Sequence, residues 1–202
     1  MSRRASQQGR ESRLRILDAT LSLAAERGYD GTTISLVSEE TGLPASSIYW
    51  HFENKEALLA AAMEHGISLL PLARPEARAA AYADLAHERF ARAVEMVTAG
   101  PEVWQFGLML VLERRTKEPS ARKTFVTVHQ RLTDTLAEWW EAALPEDVTD
   151  TVLARRIAVF HLACIDGFFV AHSADHGWDL ERLGDLIASG VVAQVEKWRA
   201  ER

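Results

Sequence analysis

The segment Pro44–Phe52 reads PASSIYWHF, and its side chains carry more chemistry than a short helix needs in order to fold. Wound as a helix, Ala45, Ile48 and Phe52 fall at i, i+3 and i+7 and form an anchoring side, leaving Ser46, Ser47, Tyr49, Trp50 and His51 outward. Two hydroxyls, a phenol, an indole and an imidazole turned to water suit insertion into a DNA major groove. There serine reaches base edges or phosphates, and tyrosine and histidine reach phosphate oxygens. Asn54 follows as a helix cap, and Lys55 then sits in a first turn whose free N–H groups attract phosphate. The competing explanation is packing of Tyr49 and Trp50 against a neighbouring domain, since an indole is large for a groove face.

Other reactive side chains make weaker constellations. His172 and His176 have i, i+4 spacing that suits a metal, but they stand at a helix end before Gly177, where the negative dipole end also favours histidine, so no metal is assigned. Cys164 and His161 are three residues apart within an apolar helix, which suits an inert buried thiol better than a nucleophile. Asp166 on the same helix needs a partner: a ligand, a basic side chain or a donor from another subunit. There is no glycine-rich phosphate loop, zinc-protease signature or nucleophile elbow in the sequence, so neither an enzyme nor a cofactor is expected.

The elements that would position the polar face are legible from periodicity and punctuation. A first helix over about Glu11–Arg27 places Leu14, Leu17, Leu21 and Ala24 on one stripe and stops at Gly28. Thr32 or Thr33 caps a second helix with Ile34, Val37, Ser38 and Thr41 inward. Gly42 ends it, Leu43 fills the turn, and Pro44 suits the start of the third helix because it has no N–H to lose. The result is a two-helix corner carrying the outward face.

The run ILDATLSLAAERGYDGTTISLVSEETGLPASSIYWHFENKEALL, from Ile16 to Leu59, resembles the DNA-binding region of the tetracycline-repressor (TetR) family. The resemblance rests on the Gly28-Tyr29 turn, Thr33, Gly42, the Tyr49-Trp50-His51-Phe52 block and Lys55. It implies that Thr33, Tyr49, His51 and Lys55 contact the DNA backbone, with Ser46 and Ser47 near base edges. Departures are Trp50 where a basic residue is frequent, Ala24 where an aromatic is usual and Ser46 where glycine is common. The resemblance implies repression of transcription, and it covers about a quarter of the chain.

Beyond Leu70 the sequence reads as five more helices, so the expected fold is all-α. Pro71 and Pro75 mark a junction. A fifth helix from about Glu76 to Ala99 carries Ala79, Tyr82, Ala86, Phe90, Ala93 and Val97 on one stripe before Gly100-Pro101. A sixth spans Glu102 to about Lys117, and a seventh opens at Pro119 and runs to Leu144-Pro145. The eighth, Asp150 to about His176, is apolar nearly all round from Ile157 to Ala171, which requires cover from several sides. The ninth, Leu180–Trp198, has Leu180, Leu183, Ile187, Val191 and Trp198 on a stripe, with Gly184 and Gly190 permitting close approach. Two copies of the last two helices would form a four-helix homodimer interface, the alternative being that both only complete a monomer core. The expected organisation is a helix-turn-helix domain over residues 1–56 with its basic arm, and a helical effector-binding and dimerisation domain over 57–202. Phe90, Trp104, Leu108, Phe125, His129, His161, Ile165 and Phe168 are the candidates for a pocket that takes a small, largely apolar effector, with core packing as the alternative for each.

Charge supports a DNA-binding end. From Met1 to Arg15 five arginines stand against Glu11 alone, giving +4 here and −10 over the remainder of a chain whose net charge is −6. Such asymmetry favours phosphate binding at one end while the acidic body limits non-specific coating of DNA. With 48% hydrophobic residues the chain can bury a sizeable core, and its single cysteine excludes a disulfide framework. The apolar stretch Ile157–Ala171 is shorter than the ~20 residues of a membrane span, and the start does not resemble a signal peptide, so a cytoplasmic protein with no membrane partner is expected. The expected function is therefore a ligand-responsive DNA-binding regulator, with an all-helical binding protein or enzyme whose helix-turn-helix is structural as the alternative.

Overall fold

The computed structural model describes residues 2–69, 81–99, 102–113, 120–174 and 177–201, with side chains from Gln7 onward in the first helix. The described residues form nine α-helices and no strand: α1 Ser2–Gly31, α2 Ile34–Thr41, α3 Ala45–His51, α4 Lys55–Ser68, α5 Tyr82–Thr98, α6 Glu102–Leu112, α7 Ser120–Ala143, α8 Thr151–Ala174 and α9 Leu180–Ala200. Expectations placed on Pro71, Pro75, Glu76, Ala79, Gly100-Pro101, Lys117, Pro119 and His176 lie outside the described residues. The chain forms two compact units, one of Met1–Pro71 with Pro101–Val128 and one of Leu72–Gly100 with His129–Arg202.

In the first unit α1 is the central beam, packed by α2, α3, α4 and α6. It begins well before Glu11, because nothing from Ser2 to Arg10 breaks a helix, and Gln7 Nε2 donates to Glu11 Oε1 at 3.0 Å across one turn. The basic segment is thus a helical extension of α1. Gly28 interrupts the helix at φ 71°, ψ −177°, a backbone state that side chains with a Cβ avoid, and the buried Thr32 hydroxyl donates to its carbonyl at 2.8 Å. Ile16, Leu17, Ala24, Val37, Ile48, Leu58, Leu59 and Met63 make the buried core of this unit. Gly66 lets α4 approach closely: a Cβ there would stand 2.6 Å from Leu21 Cδ2 and 2.7 Å from Val103 Cβ. Gly107 does the same for α6, whose backbone meets the Phe125 ring well inside ordinary contact distance for a methyl.

In the second unit α5 packs on α8 and α9. The buried stripe of α9 is Leu180, Gly184, Ala188, Val191 and Val195, so Leu183, Ile187 and Trp198 of the expected stripe are only half-buried. Gly184 is the point of closest approach, facing Val94 at 2.9 Å for an added Cβ, whereas Gly190 faces open space within its own chain. The long helix α8 buries Leu153, Ala154, Ile157, Ala158, His161, Leu162, Ile165, Phe168 and Phe169. Its other side leaves Val152, Val159, Phe160 and Val170 exposed, with Ala163 and Gly167 between them. α8 is the one described helix long and apolar enough to cross a membrane by length and composition, yet here its inner face is part of a protein core.

Candidate functional site

The turn between α2 and α3 is closed by short-range polar contacts, and the corner is anchored by buried Val37 and Ile48. Thr33 holds extended backbone angles, φ −126° and ψ 155°, and its hydroxyl oxygen accepts from Leu36 N at 3.2 Å. That bond uses an orphan donor of the first turn and leaves this exposed residue a hydroxyl proton it can still donate. At the other end Gly42 takes the left-handed conformation, φ 64°, and its N–H donates to Glu39 O at 3.2 Å. The turn is tied on both sides, by Ser38 Oγ donating to Leu43 O at 2.6 Å and by Leu43 N donating to Thr41 Oγ1 at 3.3 Å. Arg15 reaches from α1 and its guanidinium donates to the Thr41 carbonyl. This arginine therefore braces the corner, a role its place in the basic N-terminal count does not reveal.

Pro44 stands just before α3 as its N-cap, φ −62° and ψ 146°, so its missing N–H costs the helix nothing. Ile48 is fully buried and Phe52 nearly so, while Ala45 is half-buried, which fixes the anchoring side expected from spacing. Ser46, Tyr49 and Trp50 are exposed, Trp50 to 77%. Ser47 and His51 are half-buried. Packing does not absorb Tyr49 or Trp50 within this unit, although the Trp50 ring lies 4.0 Å from where a Gly9 Cβ would stand on α1. His51 is edge-on to Trp50 at 4.5 Å and tilted against Phe52 at 6.0 Å, and Arg13 lies over the Phe52 ring at 5.3 Å. Burial first and the Arg13 charge second hold the His51 imidazole below its usual pKa, which favours the neutral ring. Neutral His51 presents one N–H, enough to donate to a phosphate oxygen.

α4 begins directly beneath this face. Asn54 caps it, its side-chain oxygen accepting from Ala57 N at 2.9 Å. Lys55 Nζ donates to the Asp30 carbonyl at 3.3 Å and lies 4.9 Å over the Tyr29 ring, so its ammonium is held at the junction of the Gly28 turn and the start of α4. A cation held there already has its side chain ordered. Glu56 accepts from both the backbone N–H and the hydroxyl of Ser120, at 3.1 and 3.0 Å, which ties the start of α4 to the start of α7. At the far end His65 Nε2 and Asp18 Oδ1 meet at 2.8 Å, joining α4 to α1.

The eight residues expected around an effector divide between the two units. Trp104, Leu108 and Phe125 belong to the first, where Trp104 and Phe125 are buried and meet edge to face at 5.6 Å, and Leu108 is half-buried. Phe90, His129, His161, Ile165 and Phe168 belong to the second. There Phe90 stacks on His161 at 4.5 Å, and Ile165 and Phe168 are buried. Asp166 finds its partner in His129, whose Nε2 lies 3.2 Å from Oδ2. The aromatic cluster extends to Trp140, which lies 6.3 Å from Phe90 and 6.5 Å from Tyr82, and to Trp139 beside it at 4.9 Å. Tyr82, Trp139 and Trp140 were not singled out as site residues by spacing, although Tyr82 lies on the apolar stripe of α5. Burial pushes the Cys164 thiol up to about 11, so it is an inert thiol and not a nucleophile at neutral pH.

An all-α fold whose second and third helices form a capped corner, with an exposed polar and aromatic face on the second of them, has the arrangement of a helix-turn-helix. Residues 16–62 match the family model described as bacterial regulatory proteins, tetR family. The biofilm operon negative regulator IcaR of Staphylococcus epidermidis is 35% identical over 51 residues, 25% of this chain and 28% of that protein. Among solved structures, FadR of Bacillus subtilis in complex with stearoyl-CoA aligns with TM-score 0.57 at 18% identity, over 87% of this chain and 95% of that one. AibR in complex with isovaleryl coenzyme A and operator DNA aligns with TM-score 0.64 at 21% identity, over 88% and 96%. Residues 16–62 are thus similar to the tetR family of bacterial regulatory proteins over about a quarter of the chain. Its matches to the curated relatives IcaR and AcrR span less than a third of their length.

Proposed function

We propose that this protein is a ligand-responsive transcriptional regulator, a repressor that binds a palindromic operator as a homodimer in the bacterial cytoplasm and releases it when a small effector binds. The observation that carries the reading is the α3 face, where Ser46, Tyr49 and Trp50 are exposed, together with the exposed Thr33 before α2 and the Lys55 ammonium at the start of α4. In this reading α3 enters the major groove. Thr33, Tyr49, His51 and Lys55 hold phosphates, Ser46 and Ser47 address base edges, and Trp50 lies against the groove wall. Residues 1–56 are the DNA-reading part and 57–202 the effector-binding and dimerisation part.

Dimerisation is supported by the exposed apolar side of α8, where Val152, Val159, Phe160 and Val170 frame Ala163 and Gly167, and by Leu186 and the open Gly190 on α9. Small residues between apolar ones let two helices approach a symmetry mate, giving a four-helix interface. A two-fold dimer requires a two-fold operator, with half-site centres about 34 Å apart or at a larger groove-matched spacing.

Effector response is supported by the aromatic residues in both units and by relatives of this fold solved with acyl-coenzyme A ligands. The effector must bind the DNA-incompetent arrangement more tightly than the competent one. A coupling of about 1–3 kcal/mol would weaken operator binding roughly 5- to 150-fold. α4 is the lever in this scheme. Lys55 and Glu56 stand at its DNA end, and Gly66, wedged between Leu21 and Val103, ties its other end to α1 and α6. A small shift of a helix packed so closely is passed on to the helices around it. The test is a gel shift with fragments of the host genome, followed by sedimentation of the complex. Specific retardation by a dimer supports the reading, and absence of any specific fragment at micromolar protein overturns it in favour of a structural helix-turn-helix in an all-helical binding protein.

A further inference from the structure

Among the described residues, two buried side-chain polar atoms have no hydrogen-bond partner, and both lie in the second unit. His161 on α8 is fully buried. Its Nδ1 accepts from Trp140 Nε1 at 3.3 Å. An indole N–H only donates, so Nδ1 must be the unprotonated nitrogen, and the ring proton sits on Nε2. That Nε2–H has no hydrogen-bond partner. The same holds for Arg89 Nε on α5, also buried at that atom. The Arg89 guanidinium lies 5.6 Å over the Trp139 ring. Burial first and the neighbouring Arg92 second both disfavour its charge. The His161 and Arg89 groups belong to one cluster: Phe90, next to Arg89, stacks on His161, and Trp140, next to Trp139, donates to His161.

Both orphans are donors, one of them carries a positive charge, and their surroundings are apolar rings. A buried donor without an acceptor costs free energy comparable to a lost hydrogen bond, and a half-buried guanidinium with its Nε–H unpartnered adds charge to that cost. A carboxylate satisfies both, with oxygens that take the His161 Nε2–H and the Arg89 guanidinium, while the body attached to it lies against Tyr82, Phe90, Trp139 and Trp140. A cation would meet two donors and the Arg89 charge, and a neutral hydrocarbon would leave both donors unpaired.

We propose that Arg89 and His161 form an acid-recognition site within the second unit, and that the ligand it takes is a carboxylic acid on an apolar body. This rests on the ligand-responsive reading above and names the chemical class of the effector. The acid supplies the charge and acceptor atoms and the aromatic walls supply the apolar contact. Neither partner reacts, so no bond is made or broken.

The experiment uses the full chain and four probes: octanoate and phenylacetate, with octan-1-ol and 2-phenylethanol as the matching alcohols. Binding is read by quenching of tryptophan fluorescence and by calorimetry. At least one acid should bind about 10-fold or more tightly than its alcohol, as expected for charge-assisted over neutral hydrogen bonding. R89M should bring acid and alcohol within about 2- to 3-fold of each other, and H161F should reduce the preference by a smaller factor. R89M also removes the buried, unpartnered Nε–H, so its melting temperature without ligand should equal or exceed that of the wild type, which keeps the variant interpretable. Equal binding of acid and alcohol, binding of no probe at millimolar concentration, or an acid preference that survives in R89M overturns the proposal. Operator gel shifts on the same samples keep the two readings apart. An acid that binds through Arg89 without changing operator affinity upholds the site and sinks the coupling, whereas operator release by the alcohols alone upholds the coupling and sinks the site.

Discussion

The two units treat their polar groups in opposite ways. Around the α2–α3 corner every turn is closed by a nearby partner: Thr33 on Leu36 N, Ser38 on Leu43 O, Arg15 on Thr41 O and Asn54 on Ala57 N. In the second unit the core is aromatic, and it holds the unpartnered donors Arg89 Nε and His161 Nε2. A surface that must meet a rigid, regularly spaced polyanion gains from being fixed before binding, because less ordering entropy is lost on contact. A core that keeps unsatisfied donors is less stable alone and gains when an acceptor arrives. In the function proposed above, the DNA-reading part and the effector-binding part therefore differ in where their polar groups are satisfied.

The largest effect should come from the open side of α8. Gly167→Arg, at a position with no neighbour within 4 Å in its own chain, leaves each subunit folded but places a charge at the expected subunit contact. The expected outcome is a monomer by sedimentation, with specific operator binding lost although the α3 face is untouched. A dimer that still binds operator would move the interface elsewhere.

Acid should separate the two units next. Burial first, and the Arg89 charge second, hold His161 at about 3 against an ordinary value of 6.5. In the fold it stays neutral, while the unfolded chain takes up a proton below pH 6.5. Stability from this group is therefore complete above pH 6.5 and is lost as pH falls from 6.5 towards 3, by up to about 1.4 kcal/mol per pH unit. Urea unfolding at pH 7 and pH 5 should show the wild type losing about 2 kcal/mol more than His161→Phe. Equal losses would mean that His161 is not buried neutral.

The smallest effect belongs to the corner. Thr33→Ala removes the cap on Leu36 N and should cost about 1 kcal/mol in unfolding free energy. It should also weaken operator binding, since the hydroxyl proton goes with it. Thr33→Ser should restore both. A variant as stable as the wild type would show that the cap contributes nothing.

The corner was legible because its determinants are local. Thr33, Gly42 and Asn54 each act within one turn of chain and the Ala45/Ile48/Phe52 spacing within two, and each holds the place that its type predicts. The start of α1 was less legible, since an arginine-rich segment reads equally as a charged arm or as the helix it forms. The second unit was legible only as helices. Its α9 stripe is rotated from the expected one because Gly184, not a large side chain, marks the closest approach to α5, and periodicity weights large residues. Arg89 went unnoticed because position 89 adjoins the buried Phe90 and nothing within one turn says whether a guanidinium there turns to water or inward. Its unpartnered state depends on α7 and α8, far along the chain.

The central claim is that the α3 face with Lys55 binds DNA, and the direct measurement is operator affinity as a function of salt. It should be made for the wild type, for Lys55→Met and for the triple variant Tyr49→Ala, His51→Ala, Lys55→Ala, each shown to be folded by circular dichroism. The account predicts that Lys55→Met weakens binding by a similar factor on every sequence and lowers the slope of log K against log salt by about 1. It predicts that the triple variant loses at least about 100-fold in affinity, from phosphate contacts worth roughly 1 kcal/mol or more each. A triple variant that binds operator as tightly as the wild type at physiological salt, with an unchanged slope, would contradict it.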